Sequence, residues 1–287
     1  GRPIKIENNT KAKVKSSANA RVQASVLSMY DSLRLKGPTK DGQETTWNQL
    51  NENIVAELES LKNSNSEVVL LTQTFASPTT EQIIKELTDK YSNIKHVVYD
   101  SISDSKALDA FEIAYGKRAL PTYNFSQADV IVSVGADFLG DWQGGGHDSQ
   151  YVEGRVPVKK GNNKANMSKH FQLESNMSIT GANADKRISL TPTQQKIALA
   201  KIYGYLFNVK VSGSLPELIE ISLKQVAKQL IKAGKRGLIV TGIDDVNAHL
   251  LTYAINDFLK SLSFNTNQLS LIRSGNDKKV TDLINDL

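Results

Sequence analysis

The residues best suited to chemistry lie in one stretch, Gly135-Ala136-Asp137-Phe138-Leu139-Gly140-Asp141-Trp142-Gln143-Gly144-Gly145-Gly146-His147-Asp148, directly after the apolar run Val130 to Val134. Successive glycines let a backbone come close to a phosphate or a flat heterocycle, because no Cβ stands in the way. The same stretch reads equally as a structural loop. Its three glycines lack the Lys-Ser/Thr of a P-loop and the spacing of a dinucleotide fingerprint. His147 beside Asp148 offers a metal ligand or an acid/base pair, but adjacent residues do not converge on one ion as histidines at i, i+4 on a helix do. The other histidines, at 96, 170 and 249, share no motif with it, so no metal site is expected. No Gly-x-Ser-x-Gly elbow anchors a hydrolase triad. The basic run Lys159, Lys160, Lys164 and Lys169 suits either an acidic partner or solvated surface.

The 287 residues contain no cysteine, which removes disulfides, thiolate nucleophiles and thiolate-held zinc or iron–sulfur clusters together. With 23% charged and 39% hydrophobic residues, the chain has the composition of a folded globular protein. A net charge of +5, spread along the length, is too weak to indicate nucleic acid. No apolar run reaches the roughly 18 residues of a membrane span. Starting at Gly1-Arg2-Pro3-Ile4, with no signal-like segment and no initiating Met, the chain is expected to be a soluble piece of something longer.

Apolar and capping patterns supply the elements that must position these residues. Residues 1–37 are expected to form an extended basic arm. Leu50, Ile54, Leu58 and Leu61 after Trp47 fall at helical spacing, and Val68 to Leu71 is a strand. Ser77-Pro78 opens a helix, His96 to Tyr99 is a strand, Leu108 to Tyr115 a helix and Val130 to Val134 a strand. Residues 140–185, rich in Gly, Asn, Ser and Lys, are expected to be a long loop region with short elements. Thr191-Pro192-Thr193-Gln194 begins a helix through a capping box, and a second box is expected from Ser214 to Glu217. Leu238 to Val240 and Leu269 to Ile272 are strands flanking a helix that carries Val246, Leu250 and Phe258. Alternating strands and helices imply an α/β fold of two Rossmann-like lobes with largely parallel sheets, residues 38–190 and 191–287. In Thr180-Gly181-Ala182-Asn183-Ala184-Asp185, a Gly able to take φ > 0 and an Asn tolerant of the left-handed region suit a tight turn joining the lobes.

Taken together, several segments carry a likeness to a known family. Gly1 to Asn8, Asn19 to Ala24 and Tyr30 to Arg34 resemble the start of the molybdopterin oxidoreductases of the dimethyl sulfoxide reductase superfamily. Tyr115-Gly116, Leu120 to Tyr123, Ala128 to Val132, Gly135 to Trp142 and Glu174 to Asp185 resemble more closely one branch, the iron–sulfur subunit of alternative complex III, a bacterial quinol oxidoreductase. The resemblance implies a cofactor cleft whose remnants are Gly135, Asp137, Trp142, Gly181, Asn183, Asp185, Thr193 and Gln195. Two departures bear on its use. Asn19 stands where catalytic relatives carry a cluster-ligating Cys, and Pro192-Thr193-Gln194-Gln195 replaces a Pro-Gly-Thr-Asp turn that helps hold the guanine end of the cofactor. The resemblance therefore implies a vestigial, cofactor-free domain at the periplasmic face of the inner membrane. Its iron–sulfur clusters would lie in a ferredoxin-like domain of the same polypeptide, and its partners would be that domain and neighbouring respiratory subunits. The alternative is a fragment of a working molybdopterin enzyme.

Overall fold

The computed structural model describes residues 2–11, 17–64, 66–160 and 164–287. In chain order the elements are α1 (Ala20–Ala24), a 3-10 segment (Ser25–Tyr30), the short strands β1 (Thr39–Lys40) and β2 (Gln43–Glu44), α2 (Trp47–Asn63), β3 (Val68–Thr72), α3 (Pro78–Lys90) and β4 (Ile94–Val98). Next come α4 (Ser105–Tyr115), β5 (Leu120–Tyr123), β6 (Val130–Val134), α5 (Asp148–Arg155), β7 (Val158–Lys160), β8 (Lys164–Asn166), β9 (Lys169–Glu174), α6 (Ile179–Ala182) and β10 (Lys186–Ser189). The chain ends with α7 (Pro192–Phe207), α8 (Glu217–Ala233), β11 (Gly237–Thr241), α9 (Val246–Leu259), β12 (Phe264–Ser270) and α10 (Asp277–Asp286). The fold is mixed α/β with parallel sheets. Among the described residues no helix is long and apolar enough to cross a membrane.

Two compact units emerge. The first comprises Gly1–Ile6, Ala20–Ser103 and Ile272–Leu287. Its β3 and β4 pair in parallel, Val68 opposite Ile94. Helix α2 starts at a capping box in which Thr46 and Gln49 satisfy each other's backbone, and α3 has Ser77 as N-cap with Pro78 at its first position. Tyr91, Ile94 and Val97 are its buried apolar residues among those described.

The second unit comprises Glu7–Asn19 and Asp104–Leu271. Its four parallel strands run in the order β10-β9-β6-β11. Alternate side chains divide between two cores. Val130, Val132 and Val134 join Phe171, Leu173, Leu199, Ile202, Leu223 and Val226 beneath α7 and α8. On the other face Ile131, Leu238 and Val240 meet an aromatic cluster of Phe111, Phe125, Phe138, Tyr253 and Phe264.

Several expectations need correction. The arm is not extended throughout, because the Ala-flanked stretch Ala20-Arg21-Val22-Gln23-Ala24 carries no Gly or Pro and winds into α1. Lys13 and Lys15 lie outside the described residues, as do the side chains of Lys159, Lys160 and Lys164. The boundary expected at 190/191 falls inside the second unit, since β11 pairs with β6 across that point. The region expected to be loop contains β9, five of whose six residues are buried at the centre of the sheet. Its alternating His170, Gln172 and Glu174 disguise a strand covered on both faces. No box forms at Ser214: Leu215 is drawn into the core, and α8 begins only after Pro216, whose carbonyl accepts from Ile219 and Glu220. The last expected strand lies earlier, as β12, and α10 has no counterpart among the expected elements.

Candidate functional site

In open parallel sheets, ligands bind outside the carboxyl ends of the strands, at the point where strand order reverses. Here the chain runs β6 to β9 to β10 in one direction and then returns to place β11 on the opposite side of β6. The crevice should therefore lie beyond Val134 and Thr241.

Protein atoms close that point. The Gly242 N–H and the Thr241 hydroxyl both donate to the Val134 carbonyl, at 2.9 and 3.1 Å. The two strand ends approach so closely that a Cβ on Gly242 would overlap the Gly135 carbonyl oxygen and stand 2.9 Å from Ala136 Cα. Gly135 has φ +70°, and the space its missing side chain leaves is occupied by Gln195, whose Oε1 would lie 2.7 Å from a Cβ there. Gln195 is itself buried, its Nε2 donating to the Leu190 carbonyl at 3.3 Å. Thr193, in the first turn of the same helix, is exposed.

The glycine-rich stretch folds back over this edge. Asp137 accepts from the Thr180 amide at 3.0 Å and hydroxyl at 2.6 Å, and Thr180 Oγ1 in turn accepts from Leu139 N–H at 2.9 Å. Trp142 Nε1 donates to the Thr241 carbonyl at 3.0 Å. Gln143, Gly144, Gly145 and Gly146 all have positive φ, a left-handed turn that glycine tolerates and Gln143 at +49° does not favour. A Cβ on Gly145 would stand 2.6 Å from the Gly140 carbonyl oxygen and 2.7 Å from Asn19 Nδ2. Asn19 donates to the Gly144 carbonyl at 3.1 Å, and Ser17 N–H to that of Gly146. His147 sits among Phe125, Trp142 and Tyr123, ring centroids 5.2 to 6.4 Å away, and burial pulls its pKa down to about 4. It is neutral at pH 7. Among the described residues no group of three or more acidic or histidine side chains could hold a metal ion.

The Thr180–Asp185 segment is divided rather than gathered. Gly181 has no positive φ; it is required because a Cβ there would overlap Glu174 Oε1 and lie 2.6 Å from Glu174 Cδ. Glu174 closes β9 and accepts from Arg187 Nε at 2.6 Å, Ser178 Oγ at 2.6 Å and Gln172 Nε2 at 3.1 Å. Asn183, at φ −98°, bonds back to Ile179, and Asp185 lies at the amino end of the sheet. Register places Lys186 beside Phe171, and Asp185 accepts from His170 N–H at 2.7 Å and from Arg155 at 2.6 and 3.1 Å. The segment connects β9 to β10 within one unit. It is not a hinge between lobes, because parallel neighbours need a crossover and these eleven residues, 175–185, provide it. Asp185 and Asn183 thus stand at the opposite edge from Gly135, Asp137 and Trp142. Asp185→Ala is expected to cost about 2 kcal/mol in chemical denaturation, because it strips a partner from the buried His170 amide and from Arg155. A loss of stability below about 0.5 kcal/mol would show that the network relaxes freely.

Glu174, Thr180 and Gly242 complete the arrangement, and sequence reasoning does not single them out as site residues. Only Gly242 carries a local sign, a glycine directly after a strand as at Val134-Gly135.

No protein-family model matches the chain, and no curated protein does. Among solved structures it is similar to the formyltransferase/hydrolase complex FhcABCD of Methylorubrum extorquens in complex with methylofuran, with a TM-score of 0.51 and 15% identity over 78% of this chain and 57% of that one. It is also similar to acetylene hydratase from Pelobacter acetylenicus, with a TM-score of 0.53 and 11% identity over 88% of this chain and 40% of that one. The chain thus spans 57% and 40% of these structures' lengths. At such identities the likeness is one of fold alone, the α/β fold shared with these structures.

Proposed function

We propose that this chain is a non-catalytic scaffold domain of that fold, part of the iron–sulfur subunit of a quinol-oxidising respiratory complex at the periplasmic face of the membrane. Its partners would be neighbouring subunits and a cluster-bearing, ferredoxin-like domain of the same polypeptide. One observation carries the reading: the crevice at the reversal of strand order is closed by the chain's own atoms. Gln195 fills the space at Gly135, Gly242 packs on Gly135, Trp142 is bonded to Thr241, and Asp137 is taken by Thr180. The residues at this edge do not fit a pterin nucleotide, whose phosphates need open backbone amides. The absence of cysteine from all 287 residues likewise leaves no thiolate for a cluster.

A second reading, a piece of a working molybdopterin oxidoreductase, is favoured by one feature. Gln143 Nε2 is buried with no hydrogen-bond partner among the described residues, a donor available to a ligand. The two readings separate in a metal assay. The purified chain, produced in cells that make molybdenum cofactors, is expected to be colourless and to carry only trace molybdenum and iron by elemental analysis. Molybdenum near one equivalent, with a visible absorption band, would overturn the scaffold reading.

A further inference from the structure

Three helices of the second unit finish together at the amino edge of its four-stranded sheet. Helix α8 leads through Lys235 into the start of β11, and α9, which leaves the carboxyl end of β11, returns to the same edge. There the Ser261 hydroxyl donates to the Gly237 carbonyl at 2.6 Å and the Leu262 N–H to that of Lys235 at 2.8 Å. The end of α7 joins them, with the Phe207 and Phe258 rings 4.8 Å apart. Crossovers between parallel strands bring the chain back to this edge each time, so residues far apart in sequence meet on it.

The chemistry gathered there has one sign. Lys210, Lys232, Lys235 and Lys260 are exposed, and none of them makes an ion pair among the described residues. The segments that meet, 186–216, 221–243 and 258–276, contain no Asp or Glu. Asp129, before β6, is held by Arg236 at 2.6 and 2.8 Å, and Asp257, in the last turn of α9, accepts from the Tyr115 hydroxyl at 2.8 Å. A Lys in a helix's last turn complements the macrodipole, which accounts for Lys232 but not for the other three. Lys260 takes the left-handed position beyond α9, φ +51°, where Gly or Asn is ordinarily found, as Asn208 is beyond α7. Among these cations large apolar side chains face water: Val209 is 52% exposed, Ile231 53%, Phe258 50% and Leu262 58%. Apolar side chains dispersed among lysines do not make the charge-depleted centre of a protein–protein interface. They match an anionic bilayer surface, where apolar tips enter the headgroup layer and ammonium groups meet lipid phosphates.

We propose that the amino edge of the second unit docks on an anionic lipid membrane, with Lys210, Lys232, Lys235 and Lys260 at the headgroups and Phe258 and Leu262 entering between them. The inference does not rest on the scaffold reading. It concerns the edge opposite the closed crevice, and the metal content of the chain neither supports nor overturns it.

The test is flotation of the full chain with phosphatidylcholine vesicles, made with and without about 30 mol% phosphatidylglycerol. At low ionic strength, partitioning onto the anionic vesicles is expected to be at least about tenfold stronger, and high salt should remove that gain. Lys235→Gln with Lys260→Gln, verified as folded by circular dichroism, should weaken partitioning onto anionic vesicles about tenfold or more. Leu262→Gln, which keeps every charge, should weaken it about fivefold through lost insertion. Lys196→Gln with Lys201→Gln removes the same two charges from α7, where they pair with Asp245 and Glu220, and should leave partitioning within about twofold of the wild type. Equal partitioning onto both kinds of vesicle would overturn the proposal. So would undiminished partitioning in both edge variants. Failure to bind either vesicle, with soluble poly-glutamate captured through Lys235 and Lys260, would assign the edge to an acidic polypeptide and overturn the lipid reading.

Discussion

Between pH 6.5 and about 4 the second unit is expected to lose several kcal/mol of stability, through histidines that it buries uncharged. His170 is fully buried and His249 is 6% exposed, and burial holds both near a pKa of about 4 against the ordinary 6.5. A group whose folded pKa lies below its unfolded one favours the native state least when protons are abundant. In this window the unfolded chain takes up protons that the folded chain refuses, so stability falls as pH drops through 6.5 and levels off below about 4. The full difference is about 3 kcal/mol for each of the two, with a smaller share from His147, which keeps a partly exposed edge. Carboxylates add little above about pH 5. Although burial alone would raise them, hydrogen bonds from Ser178, Arg187 and Arg155 hold Glu174 and Asp185 below their ordinary values, so their contribution is lost only as pH falls through and below the ordinary carboxylate range. Urea denaturation at neutral pH and near pH 4.5 checks this. His170→Gln and His249→Gln should each flatten the pH dependence, and a wild-type stability unchanged between the two conditions would disprove the assignment.

Gly242→Ala is expected to destabilise by at least about 3 kcal/mol, at the upper end for overpacking. The added methyl would overlap the Gly135 carbonyl oxygen, with Gly135 C at 2.8 Å and Ala136 Cα at 2.9 Å, and all three are backbone atoms of a central strand's exit. A flexible side chain would swing aside, whereas these atoms cannot move without breaking the bonds from Gly242 and Thr241 to Val134. Gly116→Ala is the control. That glycine caps α4 at φ +74° with nothing within 4 Å of a Cβ, so only the left-handed backbone is penalised, by about 1 kcal/mol. Gly242 has no positive φ, so a loss no larger than that at Gly116 in thermal or chemical unfolding would show that the close approach of β6 and β11 is relieved at little cost. A large loss at Gly242 alone would fit a carboxyl edge sealed by the chain itself.

How much of this was legible beforehand depended on the range of the interactions. The α/β class and most element starts follow from short-range patterns in the chain. Ser77 with Pro78 and Thr191 with Gln194 act across three residues or fewer, and Val130 to Val134 is apolar on both faces as a central strand must be. What lies at longer range is set by packing. Strand β9 is hidden because His170, Gln172 and Glu174 are satisfied in part by Tyr151, the Ala136 carbonyl, Ser178 and Arg187, which its own hydropathy does not contain. In the sequence Gly181 suits a left-handed turn, yet it has no positive φ and the close approach of Glu174 is what disfavours a side chain there. Asp185 and Asp137 looked like neighbours in one cleft, but a parallel crossover carried them to opposite ends of the sheet. The closure of the crevice joins Gly135, Gln195 and Gly242. Packing brings such distant residues together, and no local pattern encodes their meeting.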